Sequence, residues 1–274
     1  MAVGCDDGGQ ETTNTGGGGP APLPQGGSGN TAGTSASGGT GNVAGTTGGG
    51  TGGTGVSTEG VPLTPDAGGW VDGMGNTLGI QGAMFSYADT TTLATMTGTC
   101  DVCESPMTID AGKVCIKGTA AKVDMNCTPE PPAVDCYGTF WGAAIGLNLH
   151  QEINPDTMMG DPPTPYDAAA AGIKGFSFEI SGTTVPTSIR FKVEKPGATA
   201  DSAVEYCTTS MTPILTGPNT VTFDQLVTEC WTTGGTPATE ATSMLTKIAW
   251  QVVTNATSEV PFDFCVSNVR AVMQ

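Results

Sequence analysis

Nine cysteines and a single histidine, His150, are the residues of this 274-residue chain that most directly suggest chemistry. Cys5 stands alone near the start; the other eight are Cys100, Cys103, Cys115, Cys127, Cys136, Cys207, Cys230 and Cys265. An even set with one imidazole in the chain points to as many as four disulfides and an oxidising compartment. Zinc is the competing chemistry, because CDVC is a C-x-x-C and Cys115 and Cys127 would complete four thiolates. The downstream spacing is irregular and no second C-x-x-C occurs, so disulfides are favoured. Cys207 and Cys230 flank the stretch VTFDQL and are expected to pair, closing a short loop that contributes about 3 kcal/mol in the chain-entropy account.

Catalysis has little to work with. One histidine removes most Ser-His-Asp arrangements, and no G-x-S-x-G elbow is present. Glu179, Glu194 and Asp263 fall on apparent strands, but a glycosidase pair must stand roughly 5–10 Å apart across a cleft. Surface acids are the simpler reading. The chain is therefore expected not to be an enzyme, and a glycan-active enzyme is the remaining catalytic alternative.

The elements that would position any site are strands. AAIGLNLH places Ile145, Leu147 and Leu149 on one side; FSFEI, SIRFKVE, VTFDQL, KIAWQVV and FDFCV alternate in the same way. The inward sets are Phe176, Phe178 and Ile180; Ile189, Phe191 and Val193; Val221 and Phe223; Ile248, Trp250 and Val252; and Phe262, Phe264 and Val266. Pro and Gly punctuate the junctions, and helical periodicity is limited to a short turn near ATSMLTK. Short strands with turn-rich connections predict an all-β, antiparallel β-sandwich.

In the jelly rolls that the order of these motifs resembles, successive strands alternate between the two sheets, which implies that AAIGLNLH, SIRFKVE and KIAWQVV share one sheet. Their outward side chains are Asn148, His150, Arg190, Lys192, Lys247 and Gln251. Amide, imidazole and guanidinium groups in one patch can bond sugar hydroxyls in fixed directions while an aromatic ring covers the sugar's C–H face. Trp250 and Phe191 point inward, so the rings proposed for that role are Tyr137 and Trp141, with Trp70 and Tyr87 as further candidates at strand ends. Trp231 follows Cys230 and is expected to pack on a disulfide.

A formal net charge of -17 excludes a phosphate backbone as partner and disfavours electrostatic docking to anionic lipid. No window holds the roughly 18 to 20 apolar residues of a spanning helix. Residues 6–60 are almost entirely Gly, Thr, Ser, Asn and Ala, which cannot bury enough surface to offset the entropy of ordering them. They are expected to form a disordered linker spanning roughly 40 Å. Residues 61–274 then form one domain, with a Cys-rich insertion at about 97–137.

Two resemblances complete the reading. AVGC followed by DDGGQ resembles the lipobox of bacterial lipoproteins, which implies diacylation of Cys5 and makes residues 1–5 the remnant of a lipoprotein signal. Ala2 stands where that motif most often has Leu, and a start further upstream would supply the rest of the signal peptide. The order GGWVDGMGNTLGIQGAMFSYAD, FWGAAIGLNL, YDAAAAGIKGFSFEISG, TSIRFKV, LTKIAWQVV and VPFDFCVSNVRAV resembles the galactose-binding-like jelly rolls of carbohydrate-binding modules, particularly those of secreted myxobacterial lipoproteins. That resemblance implies a monomeric, non-catalytic protein of the cell envelope or outer surface, with a glycan or polysaccharide as partner. The membrane is then reached only through the lipid. A structural or adhesive sandwich without sugar binding is the alternative. No cofactor is expected; the structural calcium of related modules uses two acidic residues on the last strand, where this chain has Ser267 and Asn268.

Overall fold

The computed structural model describes residues 60–100, 105–125, 136–157, 159–199, 202–232, 234–240 and 242–273. Cys5, the linker over 6–59, Cys103 and Cys127 lie outside the described residues.

Thirteen strands follow in chain order: β1 (Val61–Pro62), β2 (Trp70–Val71), β3 (Gly82–Ala88), β4 (Thr108–Asp110), β5 (Lys113–Ala120), β6 (Ala143–Asn148), β7 (Ile173–Thr184), β8 (Ile189–Pro196), β9 (Ala203–Thr208), β10 (Gly217–Thr222), β11 (Leu226–Val227), β12 (Lys247–Val252) and β13 (Val260–Met273). They form two antiparallel sheets, one ordered β10-β7-β13-β5-β4 with β1 added on β13, the other ordered β11-β9-β8-β12-β6-β3-β2. The protein is an all-β antiparallel sandwich. Five of the six stretches with period-two alternation form strands, while VTFDQL leaves β10 after Thr222, makes a 3-10 turn over Phe223–Gln225 and enters β11 at Leu226; β6, β8 and β12 are immediate neighbours in the second sheet.

The core lies where that alternation puts it. Phe176, Phe178 and Ile180 face inward from the first sheet and meet Ile145, Leu147, Phe191, Val193, Ile248 and Trp250 from the second, each at most 2% exposed. The aromatic members interlock. Phe178 stacks on Phe191 with ring centroids 5.1 Å apart and meets Trp250 edge-on at 5.3 Å. Such pairs add to the area they bury because ring edges and faces carry opposite partial charge.

Two features depart from the sequence reading. The segment read as a Cys-rich insertion supplies β4 and β5, and β5 is hydrogen-bonded along β13 from Val260↔Ala120 to Val266↔Val114. It belongs to the first sheet, between β13 and β4, with Val114 and Ile116 buried in the core. Within ATSMLTK, residues 242–244 turn and lead into a bridge between Leu245 and Tyr166, and the nearest helical turn is Ala238–Glu240.

The disulfides follow this topology. Cys115 and Cys265 are directly opposed across β5 and β13 and are bonded, closing a separation of 150 residues. Cys207 is bonded to Cys230, as its spacing suggested, and Cys100 and Cys136 are also disulfide-bonded. Cys115 is thereby removed from any thiolate zinc set. In the chain-entropy account the Cys115–Cys265 link is worth about 5 kcal/mol, more than the shorter loop. Cross-links of this kind belong to an oxidising compartment.

Candidate functional site

The outward face of the second sheet carries three rows of side chains, fixed by register. One row runs Arg190, Gln251, Ala144, Tyr87; the next runs Cys207, Lys192, Ala249, Gly146, Phe85; the third runs Glu205, Glu194, Lys247, Asn148. Small residues at Ala144, Gly146 and Ala249 leave a trough. The ring of Phe85 lies across Gly146, where a Cβ would come within 2.8 Å of it.

Charges fill the trough. Lys192 Nζ lies 2.6 Å from Glu205 Oε1 and 3.2 Å from Glu194 Oε1, while Lys247 Nζ lies 2.9 Å from Glu194 Oε2. Lys192 is only 3% exposed, so it is not the outward, solvated ligand contact expected from the alternation. Aromatic rings and acids of neighbouring strands close over it. Its ammonium lies 5.7 Å from the Tyr87 ring centre, and that of Lys247 lies 4.6 Å from the same ring. Burial pushes the Glu194 carboxyl up, but Lys192 and Lys247 more than offset this and hold it below its ordinary value. Burial likewise lowers both ammoniums, and Tyr87 with the facing acids raises them above the usual lysine range.

Beside this layer the surface opens into a cleft of about 550 Å³, lined by Tyr137, Trp141, Arg190, Glu205, Trp231, Gln251, Thr254 and Asn255 among others. The loop that presents Tyr137 and Trp141 is pinned at its end. Gln251 Nε2 donates to the Trp141 carbonyl at 2.9 Å, and Thr254 Oγ1 donates to the Phe140 carbonyl. The Gly142 N–H donates to buried Asp89 Oδ2 at 2.7 Å. Gly142 has φ +98°, and a side chain there would strike the Val252 carbonyl, so glycine is required for the chain to turn into β6. The Trp141 ring rests on Tyr87, with centroids 5.5 Å apart.

Arg190 occupies the floor. Its guanidinium lies 5.9 Å from the centre of the Trp231 ring, a cation–π distance, and it makes no hydrogen bond or ion pair among the described residues. Trp231 is 63% exposed and lines the cleft instead of being buried on the adjacent disulfide. A second, more open cleft of about 800 Å³ adjoins it, sharing Arg190, Trp231 and Val253 and otherwise rich in Thr and Ser.

Of the residues singled out in the sequence, the cleft gathers Tyr137, Trp141, Arg190 and Gln251. Gln251 is committed through its amide N–H to holding Trp141. Asn148 is buried away from the cleft and donates to Gln151 Oε1 at 3.0 Å, part of a network that also takes the Ala83 N–H. His150 Nδ1 pairs with Thr164 Oγ1 at 2.7 Å on the far end of β6. Glu205, Trp231, Thr254 and Asn255 were not anticipated. Glu205 had a legible signal, an acid on a strand edge two residues from Cys207, whereas the others depend on how loops fold back.

The remaining candidates lie elsewhere. Glu194 sits on the second sheet, while Glu179 and Asp263 lie on the outer face of the first, so the core separates it from both. Glu179 accepts from Asn268 and Asp263 pairs with Lys117. Asn268 adopts φ 52° at a register shift in β13, a conformation Asn tolerates well. With its amide N–H₂ donated to Glu179 and Ser267 beside it, this position lacks the pair of carboxylates that the jelly-roll resemblance would require for a structural calcium. Among the described residues no group of three or more His, Cys, Asp or Glu is placed to hold a metal ion. No protein-family model matches the chain, and no curated protein is significantly similar to it.

The buried charge layer yields a test. Glu194→Gln leaves Lys247 without its carboxylate, and urea unfolding at pH 7 is expected to show a loss of about 3 kcal/mol. Because the folded carboxyl titrates below its unfolded value, its stabilisation is full above the unfolded value and disappears as pH falls through the folded one. The gap between wild type and variant should therefore begin to narrow once pH falls below the unfolded carboxyl value of about 4, and keep narrowing further into acid. A gap that persists unchanged into acid would show that Glu194 is not ionised in the folded protein.

Proposed function

We propose that the chain is a non-catalytic saccharide-binding protein of the cell envelope, tethered by lipid on Cys5, and that the cleft between Trp141 and Trp231 is its binding site. The observation that carries this reading is the combination in one concavity of exposed aromatic faces with a half-buried guanidinium that makes no hydrogen bond or ion pair among the described residues. A sugar ring presents an apolar C–H face and a rim of hydroxyls. Trp231, Trp141 and Tyr137 offer surface for the first; Arg190, Glu205, Thr254 and Asn255 offer donors and acceptors for the second. The site is largely preformed, since Trp141 is held by Gln251 and by the ring of Tyr87, which reduces the ordering cost of binding.

The test is a glycan array probed with the full chain, followed by calorimetric titration of the selected saccharide. Trp231→Ala is expected to weaken binding about tenfold or more, as for a central aromatic contact. Its thermal stability should be nearly unchanged, because the ring is exposed. Undiminished affinity would place the saccharide outside this cleft, and an array with no bound glycan would favour a structural or adhesive sandwich instead.

The anchor rests on the lipobox-like AVGC and on the Gly-rich stretch behind it, which would hold the domain away from the envelope surface. Expressed in bacteria with a signal peptide upstream, the protein should enter the membrane fraction and incorporate labelled fatty acid. Cys5→Ser should abolish the label; persistence of the label would refute the anchor.

A further inference from the structure

We infer that the saccharide taken by this cleft is anionic, carrying a carboxylate or sulfate that is received by the guanidinium of Arg190. The inference rests on the saccharide-binding reading above and specifies the class of ligand.

It follows from how charge is distributed on the outward face of the second sheet. Arg190, Lys192 and Lys247 are its cations, and Glu194 and Glu205 are its acids. Every ammonium oxygen contact is assigned: Lys192 holds one oxygen from each acid, and Lys247 holds the second oxygen of Glu194. Arg190 is left over. Glu205 is the nearest acid in its surroundings, and its Oε1 is already engaged by Lys192 at 2.6 Å. The face thus carries one more positive charge than negative, in a chain whose formal net charge is -17.

That surplus charge is held at a cost. Burial lowers the pKa of Arg190, and the field of Glu205 only partly compensates. A guanidinium presents its N–H donors in a planar fork, and none of them has an acceptor among the described residues. The guanidinium lies 5.9 Å from the Trp231 ring centre and lines the cleft, where a carboxylate can accept two parallel hydrogen bonds from it. A neutral hydroxyl pair would occupy the same donors but would leave the charge uncompensated.

The acidic remainder of the chain repels an anionic polymer at long range. Exposed charges are screened beyond about 8 Å at physiological salt, whereas a partly buried pair is screened much less. Affinity for the acidic saccharide should therefore hold or rise slightly as salt is raised from low to physiological strength.

The experiment uses the full chain on an array holding uronic-acid oligosaccharides, their carboxyl-reduced counterparts, sulfated neutral oligosaccharides and their desulfated counterparts. The best-bound saccharide is expected to be acidic and to bind about tenfold tighter than its neutralised counterpart. The first and third groups tell carboxylate from sulfate. Arg190→Gln should bring acid and neutral forms to the same affinity, Arg190→Lys should retain part of the preference, and Trp231→Ala should weaken both forms equally. Melting temperatures should not fall appreciably in either Arg190 variant, because Arg190 makes no hydrogen bond or ion pair among the described residues. Equal binding of acidic and neutralised forms by wild type would overturn the inference while leaving saccharide binding intact, as would a preference that survives Arg190→Gln. Binding of neither form would remove the saccharide reading itself.

Discussion

The interlock of Phe178, Phe191 and Trp250 between the sheets is the contact from which the rest of the molecule takes its register. Phe191 and Trp250 are Cα partners on β8 and β12, and both project into Phe178 on β7. Side chains alternate across a strand, so anchoring these two rings inward turns their neighbours Arg190 and Gln251 outward as a facing pair. A slip by one residue on either strand would bury a guanidinium or an amide in the aromatic core and expose an indole. The cost of either error is several times a typical side-chain contribution, which makes the register of the site a consequence of core packing.

Above that core the second sheet is built in layers. Ala144, Gly146 and Ala249 provide a shallow floor, Phe85 and Tyr87 lie over it, and the Lys192–Glu194–Lys247–Glu205 chain fills what remains. The hydroxyl of Tyr87 is buried without a hydrogen-bond partner among the described residues, between two ammoniums whose field favours its oxygen. Buried ion pairs contribute little net stability, yet they exclude alternatives, because any displacement leaves a bare charge. The layer supports Trp141 through Tyr87 and terminates at Arg190, where the pairing runs out and the cleft begins.

Much of this could be read from the sequence, and the parts that could not share a cause. Period-two alternation in six stretches identified the inward residues correctly, because burial on one face is a local constraint, and the expectation that successive strands alternate between sheets put AAIGLNLH, SIRFKVE and KIAWQVV in one sheet. The Cys207–Cys230 pair was legible from its short loop. Strand β5 was not, since its partner β13 lies 150 residues away at the cross-link and local sequence carries no record of that pairing. Alternation tells which side of a sheet a residue occupies but not whether a further layer covers that side. Lys192 and Asn148 were therefore placed on the correct face and at the wrong depth. Trp231 was missed for the complementary reason: proximity to Cys230 in sequence does not decide which way a loop turns its ring.

The central claim, that the cleft on the second sheet is where ligand binds, is tested most directly by the four indole N–H signals of the chain in a proton–nitrogen correlation spectrum during titration with the array-selected saccharide. Trp250 is sealed in the core and Trp70 lies on β2 at the opposite edge of the sheet, so both serve as internal references. The expected result is a saturable shift of Trp231 and Trp141 with Trp70 and Trp250 unmoved. A shift confined to Trp70, or saturable binding that moves neither Trp231 nor Trp141, would contradict the account.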